Sequence, residues 1–299
     1  MDCYLASIND AVAWAKSTSS IVVVAAPKMA TEAKLLVEAG ARLVVHDPTE
    51  LKGGHLDETI ANALHDVIVI RKTMIPFIEE RGGRPIHLPH PYVSVGIGAG
   101  KAVPKERRHH AVAVSRVDFD KNTELIAKAN AKLPPEHRVA IYGMLNRLYA
   151  HHKLDKEIPN WRTEYMGTFD GSSLWAGSLI AQEGHYTVDM STISGDGGGT
   201  QYTHLEAWDA GSTLVLHKGW MTGKPEIDEV GKASVLVGNE DELVEVLSAP
   251  DDYEGQDAEG KRLLLEHAPS ALRDTLSQIT DSAVRAPQPV IPQSVKADF

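Results

Sequence analysis

Residues 195–217 read GDGGGTQYTHLEAWDAGSTLVLH, and this stretch decides the fold. Four glycines in five residues precede a predicted helix, QYTHLEAWDA, which Gly211 ends before the strand TLVLH. A segment this rich in glycine loses much conformational entropy on folding, so a specific role must compensate. A glycine loop leading into a helix N-terminus lets an anion approach unpaired backbone N–H groups. The stretch therefore predicts a loop–helix–strand unit, and one role for its loop is to hold a phosphate.

Glu206 lies one to two turns inside this predicted helix, too far from its start to cap the N-terminus. It is four residues after Tyr202, so the two side chains share a face of the helix. A carboxylate in this position can accept hydrogen bonds from the vicinal hydroxyls of a sugar. The alternative is that Glu206 faces solvent and the glycines form a mobile surface loop, and the unit by itself leaves both interpretations open.

The rest of the chain alternates short apolar runs with helical segments, the pattern of a parallel α/β sheet. The runs are apolar on consecutive residues, as expected for strands covered by helices on both faces. The predicted strands are 21–26, 42–46, 67–71, 85–88, 111–115, 138–142, 187–191, 213–217 and 233–237.

A proline- and glycine-rich segment over 88–106 indicates a domain boundary. Its GIGAGK motif has Val95 and Ala102 where a Walker loop requires Gly and Ser or Thr, which favours a hinge. The predicted organisation is an N-terminal domain over 1–95, a hinge over 96–110, a C-terminal domain over 111–282 and an extended proline-rich tail over 283–299.

Charge and composition limit the classes of function. Residues 1–110 carry a balance of +1 and residues 111–299 a balance of −12, so the second half cannot supply a broad basic surface for nucleic acid. The basic patch KAVPKERRHH (101–110) either contacts a polyanion or is a solvated linker. Cys3 is the single cysteine, and the longest apolar run, 21–26, is far too short to span a membrane. With no basic leader at the start, we expect a cytoplasmic protein.

A second unit follows the predicted strand 111–115. Arg116 and Lys121 lie five residues apart just beyond the carboxyl end of that strand, where open α/β sheets bind ligands. Two cations beside a helix N-terminus suit a diphosphate. Asp118 and Asp120 form a D-x-D that could bind a metal, but such a motif arises easily by chance, so we interpret both as loop carboxylates.

This R-x4-K spacing, followed by a glycine loop and a helix with a glutamate, resembles the donor half of GT-B glycosyltransferases. The resemblance implies two Rossmann-like α/β domains facing a cleft. The first of them, residues 1–95, is short for the family. It implies that Arg116 and Lys121 contact a nucleotide diphosphate and that Glu206 binds the ribose, with UDP-glucose as the donor and no cofactor or metal. The acidic residue that the family places eight positions before the helix glutamate is Gly198 here, which leaves Asp189 or Asp196 as substitutes. The implied donor-binding residues are Gly197, Gly198, Gly199, Thr200, Tyr202, Thr203 and Glu206.

The motif YTHLE (202–206) is similar to a motif of the phage DNA α-glucosyltransferases, which glucosylate hydroxymethylcytosine in DNA. VVHDP (44–48) is similar to the part of those enzymes with a catalytic His-Asp pair, which implies catalytic roles for His46 and Asp47 and retention of anomeric configuration. Asp47 before Pro48 also suits a helix N-cap, and that alternative stays open. A small-molecule, lipid or glycan acceptor is the alternative to DNA. A third possibility is a non-catalytic nucleotide-sugar-binding subunit whose partner chain completes the short first domain.

Overall fold

The computed structural model describes residues 7–17, 23–25, 30–45, 66–94, 109–169, 176–192, 199–224, 228–249, 253–275 and 277. These residues form two parallel β-sheets that follow one another along the chain, each packed against helices. The predicted α/β class with two Rossmann-like domains is confirmed. Within the described ranges, no helix is both long and apolar enough to cross a membrane.

The first sheet has four strands in the order β1-β2-β3-β4. Alternate residues of its strands pack to opposite faces: Val67 and Val69 join one apolar cluster, whereas Ile68 joins the other. Burial on both faces explains why the sequence is apolar on consecutive positions. The elements are β1 (Val23–Ala25), β2 (Arg42–Val45), β3 (Val67–Val69), β4 (Pro85–His87), α1 (Ile8–Ser17), α2 (Ala30–Glu38) and α3 (Ile75–Glu79).

The second sheet has six parallel strands in the order β10-β9-β8-β5-β6-β7. This is a doubly wound order, in which the chain direction across the sheet reverses between β5 and β8. The strands are β5 (His109–Val114), β6 (Val139–Tyr142), β7 (Tyr165–Gly167), β8 (Gly184–Asp189), β9 (Thr213–His217) and β10 (Val235–Val237).

Helices cover both faces of this sheet. Ala111 and Ala113 of β5 pack in one apolar cluster, and Val112 and Val114 pack in another on the opposite face. A π-helical turn, Ala150–Leu154, joins α5 to α6. The helices are α4 (Thr123–Lys132), α5 (Arg147–Tyr149), α6 (Asp155–Glu157), α7 (Ala176–Ala181), α8 (Tyr202–Ala210), α9 (Glu229–Lys232), α10 (Glu240–Ser248) and α11 (Glu254–Glu266).

The nine predicted strands all occur, with ends shifted by a few residues. One strand was not predicted, β7, because its three residues are only half-buried or exposed and form no apolar run. β5 begins at His109, inside the segment predicted as the hinge. Residues 95–108 and the predicted tail 283–299 lie outside the described residues, so the domain boundaries stay a prediction.

Candidate functional site

Two loops meet at the point where the strand order of the second sheet reverses. Lys121, in the loop after β5, donates a hydrogen bond from Nζ to Ser191 Oγ, 2.9 Å away, in the loop after β8. Beside it, Asn122 Nδ2 donates to the carbonyl of Met190 at 2.9 Å. The crevice at such a reversal is where doubly wound sheets bind ligands. The predicted cation Lys121 therefore lies at the position expected for a ligand contact.

Arg116 and Lys121 converge on one carboxylate oxygen. Asp120 Oδ2 lies 3.1 Å from an Arg116 guanidinium nitrogen and 4.0 Å from Lys121 Nζ. A second Arg116 nitrogen lies 3.4 Å from Asp118 Oδ2. The Asp118-Phe119-Asp120 triplet thus serves as counter-ions to the cations, as predicted for loop carboxylates. Among the described residues, no group of three or more His, Cys, Asp or Glu side chains is arranged to hold a metal ion.

Gly143 shapes the loop that carries Arg116. It follows β6 with φ of +148°, and a Cβ built there would overlap the carbonyl oxygen of Ser115. The loops after β5 and β6 therefore approach more closely than a side chain permits. Their contact continues through Val117, whose N–H donates to Met144 O at 2.9 Å. The glycine at this strand end is a steric requirement for the position of Arg116.

A buried polar cluster fixes Ser191, the hydrogen-bond acceptor of Lys121. Asp189, at the end of β8, accepts hydrogen bonds from Ser191 N at 2.9 Å and Ser191 Oγ at 2.5 Å. Its other oxygen lies 3.5 Å from His204 Nε2, and both side chains are almost fully buried. Burial opposes ionisation of Asp189, but the contacts with His204, Lys121 and Ser191 hold its pKa well below the ordinary value. Burial, only partly opposed by Asp189, lowers the pKa of His204, which leaves a carboxylate beside a neutral imidazole.

The end of the glycine loop is held by contacts from both sheets. Gly199 adopts φ of +81°, and the aliphatic stem of Arg71, from the end of β3, lies 3.5–3.7 Å from the place of a Cβ there. The Gly199 carbonyl accepts a hydrogen bond from Trp220 Nε1 at 2.9 Å. Gly199 and Thr200 thus lie immediately before Gln201, the N-cap of α8. Gly197 and Gly198 lie outside the described residues.

The first turn of α8 places its predicted contact residues in different directions. Thr203 Oγ1 points toward the end of β5, 3.5 Å from the carbonyl of Val114. Tyr202 instead turns toward the chain after β4: its ring lies 4.7 Å from that of His90, and its hydroxyl donates to Pro91 O at 3.3 Å. Thr203 is thus at the candidate site, whereas Tyr202 links the helix to the first part of the chain.

Glu206 faces α7 and is half-buried. Its carboxylate packs directly against Gly177, where a Cβ would overlap the carboxylate oxygens. Burial raises the pKa of Glu206 to about 7 from an ordinary value of 4.5. Glu206 therefore does not simply face solvent, because its carboxylate packs against Gly177 and its side chain is half-buried.

This raised pKa predicts how stability depends on pH. In the range between 4.5 and about 7 the folded state binds more protons at Glu206 than the unfolded state does. The stabilisation that this group contributes is thus complete below pH 4.5 and is lost as pH rises through about 7. We expect the Tm of wild type to fall relative to that of Glu206→Gln across this range. Equal Tm differences at pH 5 and pH 8 would show that Glu206 titrates normally.

The segment after β4 attaches to α8 at the far end as well. Asp209 accepts hydrogen bonds from the hydroxyl of Tyr92 at 3.0 Å and from that of Ser94 at 2.5 Å. The ring of Tyr92 is buried with Trp208 in the apolar cluster under α8. Residues 88–94 therefore run along α8 and connect the first sheet to the helix that follows the glycine loop.

An ion pair joins the segment after β3 of the first sheet to α9, which packs beside the second sheet. Lys72 Nζ lies 2.7 Å from Glu229 Oε2, and both side chains are about one-third exposed. The adjoining cavity is bordered by Arg71, His87 and Gly199 and has a volume of about 30 Å³. Burial, followed by the charges of Lys72 and His267, lowers the pKa of His87 to about 4, so this histidine is neutral at pH 7. This cavity is large enough for water but not for a sugar nucleotide.

The structure extends the predicted site and leaves one part of it undescribed. His46 and Asp47 lie outside the described residues, so their roles stay a prediction. Sequence analysis did not single out Ser191, His204 or Arg71. The available signal for His204 was its place inside YTHLE, four residues before Trp208 on the buried face of α8.

The two parallel sheets and the site at the switch point form the architecture of the GT-B glycosyltransferases, and comparison with solved structures shows this fold. The structure of Anabaena Alr3699/HepE in complex with UDP and glucose matches with a TM-score of 0.61 and 14% identity, over 93% of this chain and 81% of that chain. The trehalose-6-phosphate synthase OtsA matches with a TM-score of 0.64 and 12% identity, over 93% of this chain and 76% of that chain.

A third similar structure belongs to a longer chain. The pneumococcal O-GlcNAc transferase GtfA, in complex with UDP and GlcNAc, matches with a TM-score of 0.59 and 15% identity, over 92% of this chain and 60% of that chain. No protein-family model matches the sequence, and no curated protein matches it. At these identities the similarity establishes the fold alone.

Proposed function

We propose that this protein is a retaining glycosyltransferase, which moves a sugar from a nucleotide-diphosphate sugar to a hydroxyl acceptor. The observation that carries the proposal is the convergence of Arg116 and Lys121 on a single anionic oxygen, 3.1 and 4.0 Å away, at the switch point of the sheet. A diphosphate oxygen would take the place that Asp120 Oδ2 occupies. UDP-glucose is the proposed donor, in keeping with the UDP named for HepE and GtfA.

The chemistry follows from the charge that develops on the leaving group. As the glycosidic bond breaks, the nucleotide diphosphate departs with additional negative charge. Arg116, Lys121 and the N–H groups at the start of α8 are positive groups aimed at that charge, which is usually the largest contribution to such catalysis. Because these groups can neutralise the leaving group, we propose that the reaction needs no metal ion. Unchanged turnover in excess EDTA is the expected result.

Glu206 is the proposed ribose ligand. A desolvated carboxylate with a pKa near 7 gains hydrogen bonds when ribose hydroxyls donate to it, and these favour its ionised form. Asp189 does not replace the missing acidic partner at Gly198, because its carboxylate is buried and already hydrogen-bonded to Ser191. Asp196 remains the proposed substitute, and it lies outside the described residues.

The acceptor side of the proposal rests on the sequence resemblance. His46 would hydrogen-bond near the transferred sugar, and Asp47 would orient the attacking hydroxyl or accept its proton. YTHLE (202–206) favours hydroxymethylated DNA as the acceptor, whereas the charge of −12 over 111–299 favours a small-molecule, lipid or glycan acceptor. DNA binding whose affinity falls steeply with salt would support the first. Turnover with any acceptor would separate an enzyme from a non-catalytic subunit of a heteromer.

The donor is tested by a thermal-shift panel with UDP, UDP-glucose, other UDP-sugars, GDP-sugars, ATP and NAD. A ligand that binds only the folded state, present at about 100 times its Kd, adds about 2.7 kcal/mol of stability. Selective stabilisation by UDP and UDP-glucose is the expected result. Stabilisation by none of these nucleotides would contradict the proposal.

Replacing Asp120 should strengthen donor binding. Its carboxylate competes with a diphosphate for Arg116 and Lys121, and Asp120→Asn removes the charge while keeping the shape. Ion pairs of this exposure contribute up to about 1 kcal/mol, so we expect UDP affinity to rise by up to about five-fold. Calorimetric titration with UDP measures the change. Asp155→Asn, which disrupts the exposed pair with Arg162, is the matched control and should leave affinity unchanged.

A further inference from the structure

The position of the Lys121 ammonium group is fixed by a hydroxyl on the opposite side of the crevice. The Lys121 side chain is only 12% exposed. Its Nζ donates to Ser191 Oγ at 2.9 Å, and Ser191 is itself 2% exposed. A lysine side chain on the surface samples many rotamers, and anchoring one costs conformational entropy. The bond to Ser191 therefore holds in advance a cation that would otherwise have to be ordered when an anion binds.

Asp189 determines the direction of that bond. Ser191 Oγ lies 2.5 Å from Asp189 Oδ1, and an ionised carboxylate only accepts hydrogen bonds, so the serine proton points toward Asp189. The lone pairs of Ser191 Oγ are then left to face Lys121. Ser191 N–H donates to the same carboxylate oxygen at 2.9 Å, which fixes the serine backbone as well. One buried carboxylate thus orients both the hydroxyl and, through it, the ammonium group.

The second oxygen of Asp189 reaches the start of α8. His204 Nδ1 accepts a hydrogen bond from the backbone N–H of Gln201 at 3.2 Å, so in the neutral ring the proton is on Nε2. That Nε2 lies 3.5 Å from Asp189 Oδ2. Gln201 is the residue between the glycine loop and the first turn of the helix. The carboxylate therefore lies beside the imidazole ring that caps the first turn of α8.

We propose that Asp189 is a positioning residue for the donor diphosphate. Through Ser191 it fixes the Lys121 ammonium group, and its other oxygen lies 3.5 Å from the His204 ring that caps the first turn of α8, so one buried carboxylate lies against both anion-binding elements. This inference rests on the proposed function, since it assigns the role of the cluster in binding the nucleotide-diphosphate sugar. It concerns residues that touch Lys121 and α8 rather than the donor itself.

A double-mutant cycle tests the proposal. UDP-glucose binding is measured by calorimetry for wild type, Ser191→Ala, Lys121→Ala and the double variant. Hydrogen bonds to charged groups contribute enough that we expect Ser191→Ala to weaken binding by about ten-fold. The double variant should bind no more weakly than Lys121→Ala alone, because Ser191 acts through Lys121. A purely structural role for Ser191 would instead give losses that multiply.

Two further variants separate positioning from general loss of structure. Asp189→Asn keeps the size of the side chain but removes its charge, and it should show the same non-additivity with Lys121→Ala. Ser234→Ala removes an equally buried hydroxyl, which donates to Val230 O at 2.6 Å, and should leave binding unchanged. The Tm of each variant is recorded to confirm that it is folded.

The outcomes are distinguishable. If wild type binds UDP-glucose and Lys121→Ala loses binding while Ser191→Ala and Asp189→Asn retain it, the positioning role is wrong and the proposed function stands. Multiplicative losses in the cycle also overturn the positioning role alone. If wild type binds neither UDP nor UDP-glucose, the proposed function fails and the positioning role fails with it.

Discussion

Arg116→Ala/Lys121→Ala should abolish stabilisation by UDP-glucose and reduce turnover more than any other pair of substitutions at the site. Both cations flank the same oxygen of Asp120, so both would contact the same diphosphate. Removing one preorganised group that stabilises transition-state charge typically costs about 10²-fold or more in rate. Each single variant should show a loss of that order, and the double variant should fall near the detection limit. Initial rates with UDP-glucose and thermal shifts with UDP measure the two effects.

A charge-matched variant controls for loss of net positive charge. Lys132 and Lys153 form exposed ion pairs with Asp241 and Glu157, and neither lies in the loop after β5. Lys132→Ala/Lys153→Ala also removes two positive charges. It should retain full binding, because exposed ion pairs contribute little. Equal loss of UDP binding in the two double variants would contradict a specific role for Arg116 and Lys121.

Gly143→Ala should have the largest effect on stability. The new Cβ would overlap the Ser115 carbonyl, and the backbone at φ of +148° is one that side chains rarely adopt. Overpacking together with the strained backbone is expected to cost about 3 kcal/mol, if the loops stay in place. If they separate instead, the loop that carries Arg116 moves and UDP binding is lost. Urea unfolding and calorimetric titration distinguish these two results.

Gly167→Ala separates the overlap from the backbone strain. Gly167 has φ of +93°, also in the region that favours glycine, but a Cβ there would meet no heavy atom within 4 Å. Its substitution should cost only about 1–2 kcal/mol and leave UDP binding intact. A loss for Gly143→Ala no greater than that for Gly167→Ala would show that the two loops adapt without strain.

The architecture was predictable because burial on both faces of a parallel sheet leaves a local signal. Each central strand reads as a run of consecutive apolar residues, as in β5, where four of six positions are buried. β7 lacks this signal because Tyr165-Met166-Gly167 is not a run of aliphatic residues and Met166 is exposed. The other edge strands, β1, β4 and β10, keep apolar runs and were predicted.

The candidate site was predictable only where its residues are close in sequence. Arg116 and Lys121 share one loop, so their spacing shows that they can converge. Lys121, Ser191 and His204 meet only because β5 pairs with β8, and that pairing is a property of the whole sheet. The contact of Arg71 with Gly199 similarly joins parts of the chain that belong to different sheets. Helical spacing could have marked His204 as buried, but it could not have placed it beside Asp189.

The segment that follows β4 runs along α8 and is hydrogen-bonded to both ends of the helix. Pro91 contacts Tyr202 at the start of the helix and Ser94 contacts Asp209 at its end. Seven helical residues rise about 10.5 Å, and three extended residues span about 10 Å, so the two stretches match in length. Because hydrogen bonds join this segment to both ends of α8, a displacement of the first turn of the helix would either break these bonds or move the chain that emerges from the first sheet. The segment therefore provides a mechanical link between the two sheets.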